Sequence, residues 1–374
     1  MHWAEEVDSG VADFACELLQ VSQLPREQLF LKVNEGGFGF GSAVARGPGA
    51  LLASWEGDMH MTAHTLGEKT AAGLWRRWPG LAKALTDAET NQGNLAGRGP
   101  QQGRWQGLLE GRAGTTQKTY TSQVRANQAK SFLTELAREP AAAVYGASGP
   151  SAGAWLEIHE GVSPLADQAF RIAAKRRMDL PLLPNPCGCQ NRGTGTTTRD
   201  KCGREVDVQG GHALHCPLGG GPTRRHHAVR DALARRLRSM GHHAMKEQVI
   251  EGWGTDAGQA VLDVVYHRGA LGRTCLDVSL VDAANVARAG RGHTRVLRRR
   301  EREKHRRHPH AGPVPFVLDS GGRWGAEAET WLRQVLSEVP EEERNDARCQ
   351  LRATIAHALQ GQIAEQIALA VEHS

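Results

Sequence analysis

Four of the chain's seven cysteines, Cys187, Cys189, Cys202 and Cys216, fall in one short stretch that also holds His212 and His215. Zinc takes four tetrahedral ligands from thiolates and imidazoles. Cys189, Cys202, His212 and Cys216 form the strongest set, with Cys187 competing for a place and His215 able to substitute. The His212-x-x-x-Cys216 half brings two ligands within about one helical turn. A closed site of this kind staples a loop-rich module and does no chemistry, since no coordination position stays open. The other reading of these residues is a group of buried or free thiols. The odd cysteine number and the absence of a visible signal peptide favour metal binding in a reducing compartment over a disulfide framework.

Chemistry falls to two aspartates. Asp263 and Asp277 each sit inside an aliphatic, strand-like run, Val261-Leu262-Asp263-Val264-Val265 and Cys275-Leu276-Asp277-Val278. A carboxylate there is costly to bury unless it is paired or binds a metal. On neighbouring antiparallel strands the two would converge, and hard oxygen ligands at that point suit Mg²⁺, which polarises a phosphoryl group and activates water. Lys304 is the expected cation for developing charge, and Glu247 a further ligand or general base. Arg225 and His226, at a helix start, are candidates to hold a phosphate. The competing reading is an ordinary α/β domain with both aspartates bonded to loop amides.

Charge points to a partner. The net charge of +5 says little alone. From residue 288 to residue 307, however, Arg288, Arg291, Arg295, Arg298, Arg299, Arg300, Arg302, Lys304, Arg306 and Arg307 face only Glu301 and Glu303. Such a field favours a phosphate backbone, with Arg298, Arg299 and Arg300 at its centre. No apolar run approaches membrane-spanning length, so a soluble, intracellular protein is expected.

The elements that must position these groups follow from periodicity. The spacing predicts helices over residues 1–30 (Val11, Phe14, Leu18 and Leu19 on one face), 117–138, 162–178, 223–240, 288–308, 325–338 and 346–371. It predicts strands over 243–251, 260–267, 273–281 and 314–318, with a short turn after 267. Residues 56–115 lack clear periodicity, Gly97 to Gly103 reads as a flexible connection, and 141–153 reads as a small-residue linker. The glycines of 36–41 lack the context of a nucleotide loop. Pro181, Pro184 and Pro186 mark the main domain boundary. The expected class is α+β: a helical N-terminal region (1–180), a zinc-binding module (181–222), an α/β core of order αβββαβ (223–340) and a C-terminal helix (341–374).

The order Cys-x-Cys, His-Ala-Leu-x-Cys, Arg-His, two Asp-bearing strands and a downstream Lys resembles the C-terminal region of non-LTR retrotransposon polyproteins that carry a restriction-like endonuclease of the PD-(D/E)xK superfamily. The resemblance covers roughly residues 185–340. It implies a CCHC zinc motif and a Mg²⁺-dependent nuclease that nicks DNA to prime reverse transcription. It also implies DNA and element RNA as partners and a nuclear location. Carried over, Asp263 takes the Pro-Asp position with Leu262 for the proline, Asp277 begins the Asp-Val-x-Val strand, and His227 replaces the Asn after Arg225-His226. The usual lysine two residues beyond Asp277 is replaced by Ser279, and Lys304 followed by His308-Pro309 matches the family's downstream lysine. Gly36-Gly-Phe-Gly-Phe-Gly-Ser-Ala43 with Leu52-Ala-Ser-Trp55 looks like the segment after a polymerase thumb. No Tyr-x-Asp-Asp motif occurs, so reverse transcription is not expected, and the chain reads as a piece of such an element. The three departures keep open a second expectation, an inactive zinc-containing nucleic-acid-binding remnant.

Overall fold

The computed structural model describes residues 2–97, 104–110, 114–193, 201–255, 258–267, 272–307 and 312–371. Most of the predicted 97–103 connection, the turn after His267 as far as residue 271, and His308-Pro309 lie outside them. The chain divides into a smaller unit, 1–31 with 39–136, and a larger one, 32–38 with 137–374. The division thus falls after Leu136 and not at the Pro181–Pro186 run. Inside the larger unit, Arg176 donates to Ser320 O (3.4 Å) and Oγ (3.2 Å), and Arg323 N donates to Gly146 O (3.0 Å). That bonding holds the segment before the prolines to the same core as the segment after them.

The smaller unit is helical: α1 (His2–Leu19), α2 (Arg26–Phe30), α3 (Ala43–Thr65), α4 (Ala71–Arg77), α5 (Pro79–Ala96), α6 (Arg104–Leu109) and α7 (Gln117–Glu135). The stretch from 56 to 115 is therefore largely helix, held by small clusters such as Met59, Leu74 and Leu108. The apolar face predicted for α1 is also corrected. Phe14 and Leu18 are exposed, while Asp8, Ala12, Ala15 and Leu19 are buried. Asp8 sets that rotation by accepting from Ser42 Oγ (2.6 Å) and the Ala43 amide (2.6 Å) at the N-terminus of α3, where a carboxylate is favoured.

The larger unit runs α8 (Arg138–Gly146), α9 (Asp167–Arg177), β1 (Cys187–Gly188), β2 (Glu205–Val206), α10 (Gly211–His215), α11 (Gly221–Ser239), β3 (His243–Thr255), β4 (Gly258–His267), β5 (Arg273–Val281), α12 (Ala283–Arg288), α13 (Val296–Arg307), β6 (Val314–Asp319), α14 (Ala326–Leu336) and α15 (Arg344–Val371). Residues 141–153, expected as linker, begin inside α8. Their small side chains serve close packing: a Cβ on Gly321 would meet the Gly146 carbonyl carbon at 2.5 Å. The helix predicted over 288–308 begins only at Val296; a separate short helix, α12, ends at Arg288, stopped by a left-handed Gly290 (φ 74°) with Arg291 N bonding back to Val286 O, a C-terminal stop.

The main sheet has the order β3-β4-β5-β6, antiparallel except for the parallel β5–β6 pair. A parallel pair needs a crossover, and α12 and α13 supply it. One sheet face and helices α11, α14 and α15 share a core that includes Leu233, Leu276, Phe316, Trp331 and Leu359. Cys189, Val206, Leu214 and Cys216 belong to the same core. The cysteine segment is thus not a module with its own interior, and neither is the C-terminal helix. No helix among the described residues is long and apolar enough to cross a membrane.

Candidate active site and metal centre

The cysteine segment folds so that Cys189, Cys202, His212 and Cys216 place their ligand atoms within 4.8 Å of one another. Cys189 and Cys216 Sγ atoms lie 3.7 Å apart, and Cys202 Sγ lies 3.3 Å from His212 Nε2. Two sulfurs bound to one tetrahedral zinc at ordinary bond lengths would be about 3.8 Å apart. This Cys3His cluster could hold a metal ion such as zinc. The tight turn is set by backbone bonds: Cys189 N donates to Arg204 O and Cys202 N to Asn191 O. Cys187 is the spectator; it pairs with Val206 in the β1–β2 ladder. His215 is also outside the cluster, with its Nε2 3.2 Å from Asp282 Oδ2.

The aspartates meet at the point where β4 and β5 part. Their ladder ends at Val264–Leu276, and one step further along each strand stand Asp263 and Asp277. Asp263 fills the opening, its Oδ2 accepting from the Val278 amide (2.7 Å). Alternation along β5 sends Leu276 and Val278 into the main core and leaves Asp277 and Ser279 on the other side. There α13 covers them. Its buried stripe is Leu297, Glu301 and Lys304, which is i, i+4, i+7 spacing. Lys304 Nζ donates to Asp277 Oδ1 (2.5 Å) and to Val278 O (3.4 Å). Arg300 Nε donates to Ser279 Oγ (2.7 Å). From α11, His226 Nε2 comes within 3.2 Å of Asp263 Oδ1.

The electrostatics divide the two carboxyls. The hydrogen bond to Asp263 raises the His226 pKa above the usual imidazole value, against burial. Burial pushes Asp263 up, but His226, the Val278 amide and Lys304 together hold it below the usual carboxylate range. For Asp277 burial prevails: its carboxyl is raised although Lys304 opposes the shift. One carboxyl is thus held ionised and its neighbour less readily so, a pattern that acid–base sites use.

Other expected residues stand elsewhere. Glu247 lies in the left-handed region (φ 52°), where β3 departs from its ladder between Lys246 and Gln248. Its carboxylate pairs with Arg230 and lies 3.8 Å from His227, and does not join the aspartates. Arg225 does not face solvent; it is 5% exposed, and its Nε and Nη1 have no partner among the described residues. The reason is its place four residues before Val229 on the buried stripe of α11. Burial lowers its pKa to about 10. Arg298 and Arg299 are exposed on α13 and Arg300 is half-buried. Two groups escaped sequence reasoning. Ser279 shares the parity of Asp277, which is a visible signal. Asp282 caps α12 through the Asn285 amide (3.1 Å) while bonding His215; its local signal is that of an N-cap, and nothing in the sequence points to the His215 bond.

No protein-family model and no curated protein matches the chain.

Proposed function

We propose that the larger unit is a divalent-metal-dependent DNA-nicking nuclease of the restriction-like type found in non-LTR retroelements, stapled by zinc at the Cys3His cluster. The observation that carries this reading is the convergence of Asp263, Asp277, Lys304 and His226 from β4, β5, α13 and α11. The order α11, β3, β4, β5, α12, α13, β6 supports an αβββαβ core if the two helices between β5 and β6 count as one crossover. Exposed arginines flank Lys304 on the same helix, which suits a substrate with a phosphate backbone.

Asp263 and Asp277, with the Val278 carbonyl beside them, offer only oxygen donors, so the residues present fit Mg²⁺. When bound, that ion would polarise the scissile phosphate and lower the pKa of water. Lys304 is placed to donate to a phosphoryl oxygen as negative charge builds. Asp263 fixes the ring of His226, which in its neutral form can take a proton from water and in its charged form can bind phosphate. Exposed Arg298 and Arg299 would hold the backbone in register. For a retroelement enzyme of this kind a nuclear location follows.

A second reading, an inactive nucleic-acid-binding remnant, draws on one observation: Lys304 and His226 already occupy carboxylate oxygens of the pair. Purified protein with Mg²⁺ or Mn²⁺ separates the two. Supercoiled plasmid should become nicked, and Asp277→Ala should abolish nicking without loss of DNA binding. Equal nicking by wild type and variant, or none by either, would remove the enzyme reading.

A further inference from the structure

A second cluster of metal-ligating side chains lies in the larger unit, and none of its members belongs to the carboxylate site or the Cys3His cluster. Glu157, His159 and Cys349 bring one carboxylate oxygen, one imidazole nitrogen and one sulfur within 4.8 Å of one another. His159 Nε2 is 3.2 Å from Glu157 Oε2. We propose that these three residues form a second binding site for a divalent transition-metal ion, of which zinc is the type.

The donor chemistry selects the ion. One sulfur, one nitrogen and one oxygen are too soft for Mg²⁺ or Ca²⁺, which take oxygen. The same mixture suits Zn²⁺, Co²⁺ or Ni²⁺. Three protein ligands leave a tetrahedral ion one position for water or an exogenous ligand, unlike the closed Cys3His cluster. Access is available, since the Glu157 side chain is 56% exposed and Cys349 is only half-buried.

The frame is rigid enough to hold such a geometry. Glu157 directly follows a single 3-10 turn, Ala154–Leu156, that packs on α15. Trp155 in that turn is buried and meets Phe170 edge-on at 5.5 Å. Glu157 leaves the turn with an extended backbone, and His159, two residues on, returns to within 3.2 Å of its carboxylate. Cys349 stands in the second turn of α15. Three residues further on, Arg352 is tied to Glu329 of α14 at 2.7 Å, which fixes the helix. An ordinary surface ion pair of His159 with Glu157 would explain two of these residues but not a free thiol beside them.

The test uses the full chain. Protein stripped of metal by a chelator under reducing conditions is reloaded with excess Zn²⁺, desalted, and its zinc measured by elemental analysis. Two zinc ions per chain are expected, one for each cluster. Cys349→Ser and His159→Ala should each leave one. Glu157→Gln, an exposed change that does not threaten folding, should weaken the second zinc by at least about tenfold in competition with a chromophoric chelator, since even outer-shell changes cost that much. Refilling with Co²⁺ should give a thiolate-to-metal absorption band from the second equivalent that Cys349→Ser removes. One zinc in the wild type, or two retained in both Cys349→Ser and His159→Ala, overturns the proposal. Plasmid nicking is read separately and should survive all three substitutions, so failure of the nuclease reading leaves this result standing.

Discussion

At the scale of single residues the candidate site rests on Lys304. It reaches Asp277 from a helix, and it does so from a buried position. Removing one partner of a buried pair leaves an uncompensated charge and typically costs about 3–5 kcal/mol. Lys304→Ala should therefore destabilise the larger unit by about that amount in urea unfolding, and the double change with Asp277→Ala should recover part of the loss. Equal stability of Lys304→Ala and wild type would mean that the pair is not formed in solution. His226 provides a second residue-level test. Its pKa is raised by the Asp263 bond, so its stabilising contribution is complete below the ordinary imidazole value of about 6.5 and is lost as pH rises through the raised value. Asp263 is depressed, so its contribution is present above the ordinary carboxylate value of about 3.9 and is lost as pH falls through the lowered one. The pair therefore stabilises most between those two ordinary values. An NMR titration should find the His226 midpoint above the ordinary value, and Asp263→Asn should bring it down. A midpoint unmoved by that substitution would contradict the hydrogen bond.

At the scale of elements, what was legible in the sequence was what periodicity carries. The four sheet strands, α11, α14 and α15 stand close to where apolar spacing placed them, because each buries one continuous stripe. The Cys3His cluster was legible too, as the strongest of the candidate ligand sets. Two classes of feature were not. Helices α3 to α6 of the smaller unit lack a clean stripe, because Ala and Gly do much of their packing beside a few Leu and Met, and α8 was hidden for the same reason, whereas α7 stands where it was predicted. The roles of charged residues also depend on phase and not on type. Arg225 and Lys304 read alike as cations, yet both lie on buried stripes, while Arg298, Arg299 and Arg302 are exposed. That difference makes a prediction about α13. Changing Arg298, Arg299 and Arg302 together to Gln should leave the melting temperature nearly unchanged, because exposed charges contribute little to stability. It should flatten the salt dependence of DNA binding, by about 0.9 in log–log slope for each phosphate that the variant no longer neutralises. An unchanged slope would move the DNA interface away from α13.

At the scale of the larger unit, the two chemistries are parts of one packed body. Cys189 and Cys216 share a core with Leu276 and Val278, the neighbours of Asp277 on β5. His215, one residue before Cys216, bonds Asp282, which ends the β5 segment and caps α12. Asp319, at the end of β6, accepts from the Ala283 amide (2.8 Å) of the same junction. A metal at the Cys3His cluster is therefore anchored to both strands of the parallel pair. Loss of that metal should not melt a peripheral finger alone; structural zinc contributes directly to folding free energy, and here the loss enters a common core. Cys216→Ser should lower the melting temperature of the larger unit as a whole. It should also speed amide hydrogen exchange along β5, β6 and α15, far from the substituted thiol in sequence. Nicking should fall with it although no aspartate has changed. If β5 and β6 amides kept their protection while only residues near 187–216 exchanged faster, the cluster would be an independent staple, and the shared core would be packing without cooperativity.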